Sequence, residues 1–224
     1  MGHMEGFRDL TFDVDWTDIR DMKDDSDEMY NAQKDYWNNT YYGLVGPKNE
    51  RFMGEHLLKV LKGLDLKSIS ILDYGYGTGR LYRALGKPDN YVGVDISHTY
   101  LKRSKFFNKS KHPDIIYVDG RNLPLVNGVF DLVICYSVCT HLYIKQCEKL
   151  LRTLYNVIKP NGHILVTFFI KEGRIETKTN WVVLPEQDVL DVIDSVNLHI
   201  VDIQKVPENH SWEYQTVYLL RRSD

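Results

Sequence analysis

A short apolar run, Ile69, Ile71 and Leu72, breaks at Asp73 into Tyr74-Gly75-Tyr76-Gly77-Thr78-Gly79, and a helical pattern begins near Arg80. No other stretch constrains the chain as much. Glycine adopts left-handed backbone without steric cost and lets a ligand approach bare main chain. The first turn of a following helix adds amides that have no partner within the helix. The spacing is Gly-x-Gly-x-Gly behind an acid, distinct from the Gly-x-Gly-x-x-Gly of dinucleotide sites.

Around this turn the pattern alternates. Strands are expected near 69–74, 91–95, 114–118, 129–135, 162–170, 198–205 and 212–220. Helices are expected near 50–63, 79–86, 97–108, 144–158 and 185–195. Alternating strands and helices imply an α/β fold, with a mostly parallel sheet covered by helices on both faces. Only Val206 to Ser211 joins the last two strands, too little for a crossover helix, so these two should pair antiparallel. In such an open sheet, ligands bind beyond the carboxyl ends of the strands.

The first part of the chain differs. Asp9, Asp13, Asp15, Asp18, Asp21, Asp24, Asp25, Asp27 and Glu28 make an acidic arm, which reads as a solvated extension. Tyr30, Tyr36, Trp37, Tyr41 and Tyr42 follow, and Tyr30, Lys34 and Trp37 fall near helical spacing. The expected division is 1–47 as arm and aromatic segment and 48–224 as the main domain. The 224 residues suffice for one large core. A net charge of −3 argues against a polyanionic partner. No apolar run approaches membrane-spanning length. Cys135, Cys139 and Cys147 show neither disulfide nor metal spacing, which fits a cytoplasmic setting and buried thiols.

Four further segments carry site residues. Tyr91-Val92-Gly93-Val94-Asp95-Ile96-Ser97 is an apolar strand ending in a carboxylate about 20 residues past the first glycine, the spacing of a group that accepts from ribose hydroxyls. Ser97 reads as the N-cap of the next helix, which leaves Asp95 freer for a ligand. The others are Ile115 to Pro124, Phe130 to Leu142, and Leu154 to Phe169 with the turn Lys159-Pro160-Asn161-Gly162.

In order and spacing these five segments resemble the class I S-adenosylmethionine-dependent methyltransferases, in their broad small-molecule branch. The resemblance spans about residues 50 to 220. It implies a Rossmann-like sheet of seven strands with the last antiparallel. It also implies S-adenosylmethionine as cofactor, with S-adenosylhomocysteine as product. The implied cofactor residues are Asp73, Gly75, Gly77 and Gly79 around the methionine part, with Asp95 and Ile96 at the ribose. Asp119, Gly120 and Arg121 fall at the adenine. Tyr30, Tyr36 and Trp37 are expected either to cover the cofactor or to staple the arm to the sheet. Tyr76 stands where the family has a small residue; it would narrow the methionine subsite or line it with an aromatic face.

Methyl transfer from a sulfonium is an in-line displacement that needs alignment and exclusion of water. A base is needed only if the nucleophile must lose a proton early. His141, a few residues past the fourth strand, is the candidate base, because imidazole chemistry suits that range; the plainer reading is that it packs or caps the next helix. Tyr136 would line the methyl-transfer site. The acceptor pocket is expected from the 30–42 aromatics, the loop 171–184 with Glu172, Arg174, Lys178 and Trp181, and the turn 206–212 with His210 and Trp212. Taken singly, each of these residues reads as a solvated loop residue. Cys135-Tyr136-Ser137-Val138 lacks the Asn/Asp-Pro-Pro-aromatic motif of base N-methylation, and no Pro-Cys nucleophile is present. Lys102, Arg103, Lys105, Lys109 and Lys111 read as a solvated helix face, and no metal-ligand spacing is found. The expected function is methyl transfer to an O, N or C atom of a small molecule, without nucleic acid, membrane or metal. A catalytically silent binding partner on the same fold is the alternative, and a nicotinamide-linked enzyme a weaker third. The sequence does not set the acceptor or the oligomeric state.

Overall fold

The computed structural model describes residues 27–39, 47–108, 111–119, 123–171, 176–178, 181–205 and 215–223. Two helices precede the sheet: α1 (Asp27–Asn39) and α2 (Pro47–Val60). Then come β1 (Ile71–Tyr74), α3 (Arg80–Ala84), β2 (Tyr91–Asp95), α4 (His98–Phe107), β3 (Asp114–Tyr117) and β4 (Phe130–Cys135). A 3-10 turn over Cys139–His141 leads to α5 (Ile144–Val157) and β5 (Ile158–Ile170). The chain continues through β6 (Glu176–Lys178), β7 (Trp181–Leu184), α6 (Glu186–Ser195), β8 (Leu198–Lys205) and β9 (Gln215–Arg222).

The strands β3-β2-β1-β4-β5 run parallel in that order. β9 lies antiparallel between β5 and β8. The seven strands expected from the sequence are all present, and the last is antiparallel. Within 171–184, read as a loop, the structure instead has a hairpin: β6 pairs antiparallel with β7, and β7 joins β5 in parallel at Phe169 and Ile170. β4 pairs with β5 only as far as Val166, so β7 takes the edge that β4 vacates. The hairpin thus extends the sheet past the end of β4 and lies against the Cys139–His141 turn.

Alternation divides the core between two faces. Leu72, Val94, Val133, Ile164 and Val166 face α5 and α6. Ile71, Leu132, Ile134 and Leu165 lie with Leu57, Val60 and Leu61 of α2, Leu81 of α3 and Leu101 of α4. β1 is in register with both neighbours, with Asp73 opposite Gly93 and Ile134. Asp73, Gly93 and Asp95 therefore share the second face and line up at its carboxyl end. The Lys159-Pro160-Asn161-Gly162 turn is taken up as a bulge inside β5, where the register jumps between Phe130 and Leu132. Asn161 turns left-handed there at φ 61, and Lys159 Nζ sits 2.9 Å from both oxygens of Asp131.

Tyr76 explains a glycine in β2. A Cβ on Gly93 would lie 2.6 Å from the Tyr76 ring, which fills the space a side chain would need. Gly93→Ala should therefore cost about 1–3 kcal/mol, as other overpacked cores do. Urea unfolding checks this; unchanged stability would mean that Tyr76 has somewhere else to go.

Candidate cofactor and methyl-transfer site

The glycine turn folds back on β2. Gly75 and Tyr76 both donate their N–H to the Val94 carbonyl, at 2.9 and 3.0 Å. Gly75 has φ 82, and a Cβ there would run into Val138 beyond β4. Gly77 has φ 56, and a Cβ there would meet nothing closer than the Gly75 carbonyl at 3.9 Å. The turn is thus packed tightly on one side and open on the other. At Gly79, the N-cap of α3, added bulk would strike the Tyr76 hydroxyl.

Two carboxylates lie beneath the turn. Asp73 is 1% exposed. Its Oδ2 accepts from the Tyr91 hydroxyl at 2.7 Å, and its Oδ1 has no hydrogen-bond partner. Burial pushes its pKa up to about 7, against the Tyr91 hydrogen bond and with a small push from Asp95. Asp95, 7% exposed, accepts from Gly77 N–H at 2.7 Å and from Ser97 N–H at 2.8 Å. Burial raises it to about 6, opposed by these amides.

Two expectations need correcting. Tyr76 does not line a methionine subsite. Its ring is 3% exposed and packed on Gly93 and near Tyr91, with its hydroxyl accepting from Asn108 Nδ2 at 3.2 Å. It is a core residue, and the unoccupied side of Gly93 is what admits it. Ser97 does cap α4, since its Oγ accepts from Tyr100 N–H. That does not release Asp95, which is tied to two backbone amides; each of its oxygens keeps one further lone pair.

Farther out, Ile96 is half-buried and packs on the core. Asp119 is exposed just past β3. Gly120, Arg121, the arm to residue 26, Tyr41, Tyr42, Glu172, Arg174, His210 and Trp212 lie outside the described residues. Trp181 packs on Phe169, ring centroids 5.0 Å apart.

Helix α1 spans the carboxyl ends of several strands. The Trp37 carbonyl accepts from Ser97 Oγ at 2.9 Å. Lys34 Nζ lies 5.6 Å from the Tyr117 ring centre, at the end of β3. The Trp37 ring meets His141 edge-on, with centroids 4.8 Å apart. Tyr36, 7% exposed, packs edge-on against Trp37. His141 closes the 3-10 turn and is half-buried. It does not cap α5: the N-cap there is Tyr143, whose N–H is taken by Gln146 Oε1 at 3.0 Å.

The sequence reading missed a polar cluster beside Tyr136. Ser137 has φ 59, a left-handed conformation uncommon for a residue with a side chain. Its N–H donates to Thr167 Oγ1 at 2.7 Å. Gln215, 1% exposed, donates to Ser137 Oγ and Thr167 Oγ1 and accepts from the Tyr136 hydroxyl at 3.2 Å. Burial raises the Tyr136 pKa further, so this phenol is a neutral, anchored ring. Only a lone polar residue at the start of the last strand could have signalled Gln215. A hydrogen bond with Cys139, then burial, holds Cys135 as a thiol; against an opposing hydrogen bond with Cys135, Cys139 is raised by Cys147 and burial.

The family described as Methyltransferase domain matches residues 72–166, the stretch from β1 to β5. That stretch contains the glycine turn and both buried carboxylates. The chain is 33% identical over 111 residues to the ubiquinone/menaquinone biosynthesis C-methyltransferase UbiE of Citrobacter koseri, covering 46% of this chain and 43% of that protein. It is 30% identical over 134 residues to an uncharacterized protein of Methanocaldococcus jannaschii, covering 59% and 55%. The chain thus spans about half the length of these relatives. The fold matches magnesium protoporphyrin IX methyltransferase from Synechocystis with bound S-adenosylmethionine, at TM-score 0.67 and 16% identity over 87% of this chain and 97% of that one.

The buried Asp73 oxygen without a partner costs stability when the carboxylate is ionised. Its folded pKa, about 7, lies above the ordinary carboxylate value, so stability is lost as pH rises from about 4 to 7. Asp73→Asn should match the native chain in urea at pH 4, exceed it by about 1–2 kcal/mol at pH 8, and bind S-adenosylhomocysteine more weakly. A variant less stable at pH 8 would mean that the charge is already compensated.

Proposed function

We propose that this protein transfers a methyl group from S-adenosylmethionine to a nucleophilic atom of a small molecule. The observation that carries this is the Asp73 oxygen, buried and without a partner, beneath a glycine turn open on its far side and beside a second buried carboxylate. The donor set suits the cofactor. Asp73 Oδ1 is the acceptor for its ammonium, and the free lone pairs of Asp95 suit its ribose hydroxyls. Ile96 is proposed beside the ribose, Asp119, Gly120 and Arg121 are the proposed adenine residues, and the bare backbone of Gly75, Gly77 and Gly79 admits the methionine chain. The bound cofactor supplies an activated methyl on a cationic sulfur.

The chain's own part is to align and enclose. Tyr136, fixed through Gln215, offers a rigid ring at the end of β4. His141 is the proposed catalytic group, accepting a proton where the acceptor must lose one. We assign helix α1, with Tyr36 and Trp37, as a cover that excludes water, and residues 1–47 as a segment separate from the domain at 48–224. The β6–β7 hairpin, with Trp181 against Phe169, is the proposed acceptor wall. Among the described residues no helix is long and apolar enough to cross a membrane, which fits an acceptor met in solution.

Calorimetry with S-adenosylmethionine and S-adenosylhomocysteine tests the reading directly, and failure of both to bind would overturn it. Asp95→Ala should weaken S-adenosylhomocysteine by about 1–3 kcal/mol, the loss of a buried hydrogen-bond partner; unchanged affinity removes Asp95 from the site. His141→Ala should lower turnover with any acceptor found while sparing cofactor affinity.

A further inference from the structure

We propose that Tyr91 is a positioning residue of the cofactor site: its hydroxyl, by donating to Asp73 Oδ2, orients the carboxylate so that Oδ1 is held as the bare acceptor for the cofactor's ammonium. The proposal rests on the cofactor reading above and adds a residue to it.

The geometry is local to the two central strands. Tyr91 opens β2 opposite Ile71, and Asp73 stands opposite Gly93. Tyr91 and Asp73 therefore sit on the same face, two positions apart in register, with no side chain at Gly93 between them. The 2.7 Å hydrogen bond joins groups that are 2% and 1% exposed, so water does not compete for either. A carboxylate turns easily about its Cβ–Cγ bond, and its two oxygens are chemically equivalent. Fixing one of them fixes the plane and leaves the other, Oδ1, as a buried acceptor without a partner.

The same bond also acts on charge. A hydrogen bond to a carboxylate favours its ionised form. Tyr91 thereby opposes the burial that raises Asp73. Besides Tyr91, the charged and titratable groups acting with Asp73 are Asp95 at the end of β2, Arg80 at the start of α3, Tyr76 in the glycine turn and Cys135 on β4. Asp95 raises Asp73 and Arg80 lowers it. Tyr91, Tyr76 and Cys135 are all shifted upward and stay neutral near pH 7. Without the Tyr91 hydroxyl, the ionised carboxylate loses its one hydrogen-bond donor.

The experiment is calorimetric titration of S-adenosylhomocysteine from pH 5.5 to 8.5. In the native chain, affinity should level off above about pH 7 and fall below it, with a second, lower bend from Asp95 near pH 6. Tyr91→Phe removes only the hydroxyl. It should move the upper bend upward by about one pH unit, giving roughly fivefold weaker binding at pH 7 and a loss within about twofold at pH 8.5. Tyr82→Phe is the control: Tyr82 is fully buried in the same cluster, its ring 5.1 Å from that of Tyr91, and the bend should stay in place. An equal loss at every pH, or a bend that does not move upward, assigns Tyr91 a packing role and overturns the proposal. Absence of binding by the native chain is a different result, because it removes the cofactor reading itself. Should Tyr91→Phe fail to fold, tyrosine labelled with carbon-13 at Cζ in the native chain gives a second measurement. The Tyr91 resonance should titrate with the upper bend, and a flat resonance overturns the proposal.

Discussion

Much of this molecule follows from placing a carboxylate where water cannot reach it. Asp73 ends the central strand, 1% exposed, with one oxygen on Tyr91 and the other bare. An uncompensated buried charge is expensive, and proteins usually pair it or shift its protonation. Here the shift is present, to about 7. The arrangement costs the folded chain stability wherever the carboxylate is ionised.

The glycine turn and β2 behave as one unit. The Val94 carbonyl takes two amides of the turn, and Asp95 takes a third. Tyr76 passes beneath the turn and fills the space over Gly93. A tyrosine at position 76 therefore needs a matching gap in the neighbouring strand. Ser97 connects this unit to helix α1: it caps α4, donates to Trp37 and gives its N–H to Asp95. Through Trp37 the link reaches His141. A single helix thus reaches the end of β3 and the segments that follow β2 and β4.

How well the sequence could be read varied with the range of the interaction. Strand–helix alternation and the acids at the ends of β1 and β2 are local signals, and the fold followed from them. The β6–β7 hairpin was read as a loop, since β6 has three residues and β7 four; strands that short carry almost no periodic signal. Tyr76 was placed in the cleft because its neighbours in the chain are there, yet its direction is set by a gap 17 positions away, at Gly93. Gln215 gave no warning, being one polar residue at the start of a strand. Its three partners, Tyr136, Ser137 and Thr167, come from two other strand ends.

By itself the sequence determined the element order, the antiparallel last strand, the acid-glycine turn and the carboxylate after β2. Those depend on spacing along the chain, on backbone freedom at glycine and on which residues alternate. Tertiary structure alone decided which oxygen of Asp73 is left bare, that Tyr76 belongs to the core, and that Gln215 anchors Tyr136. It also set helix α1 against the end of β3 and the segments that follow β2 and β4. Such facts turn on which side chain fills which space between strands distant in sequence, and no local pattern encodes that.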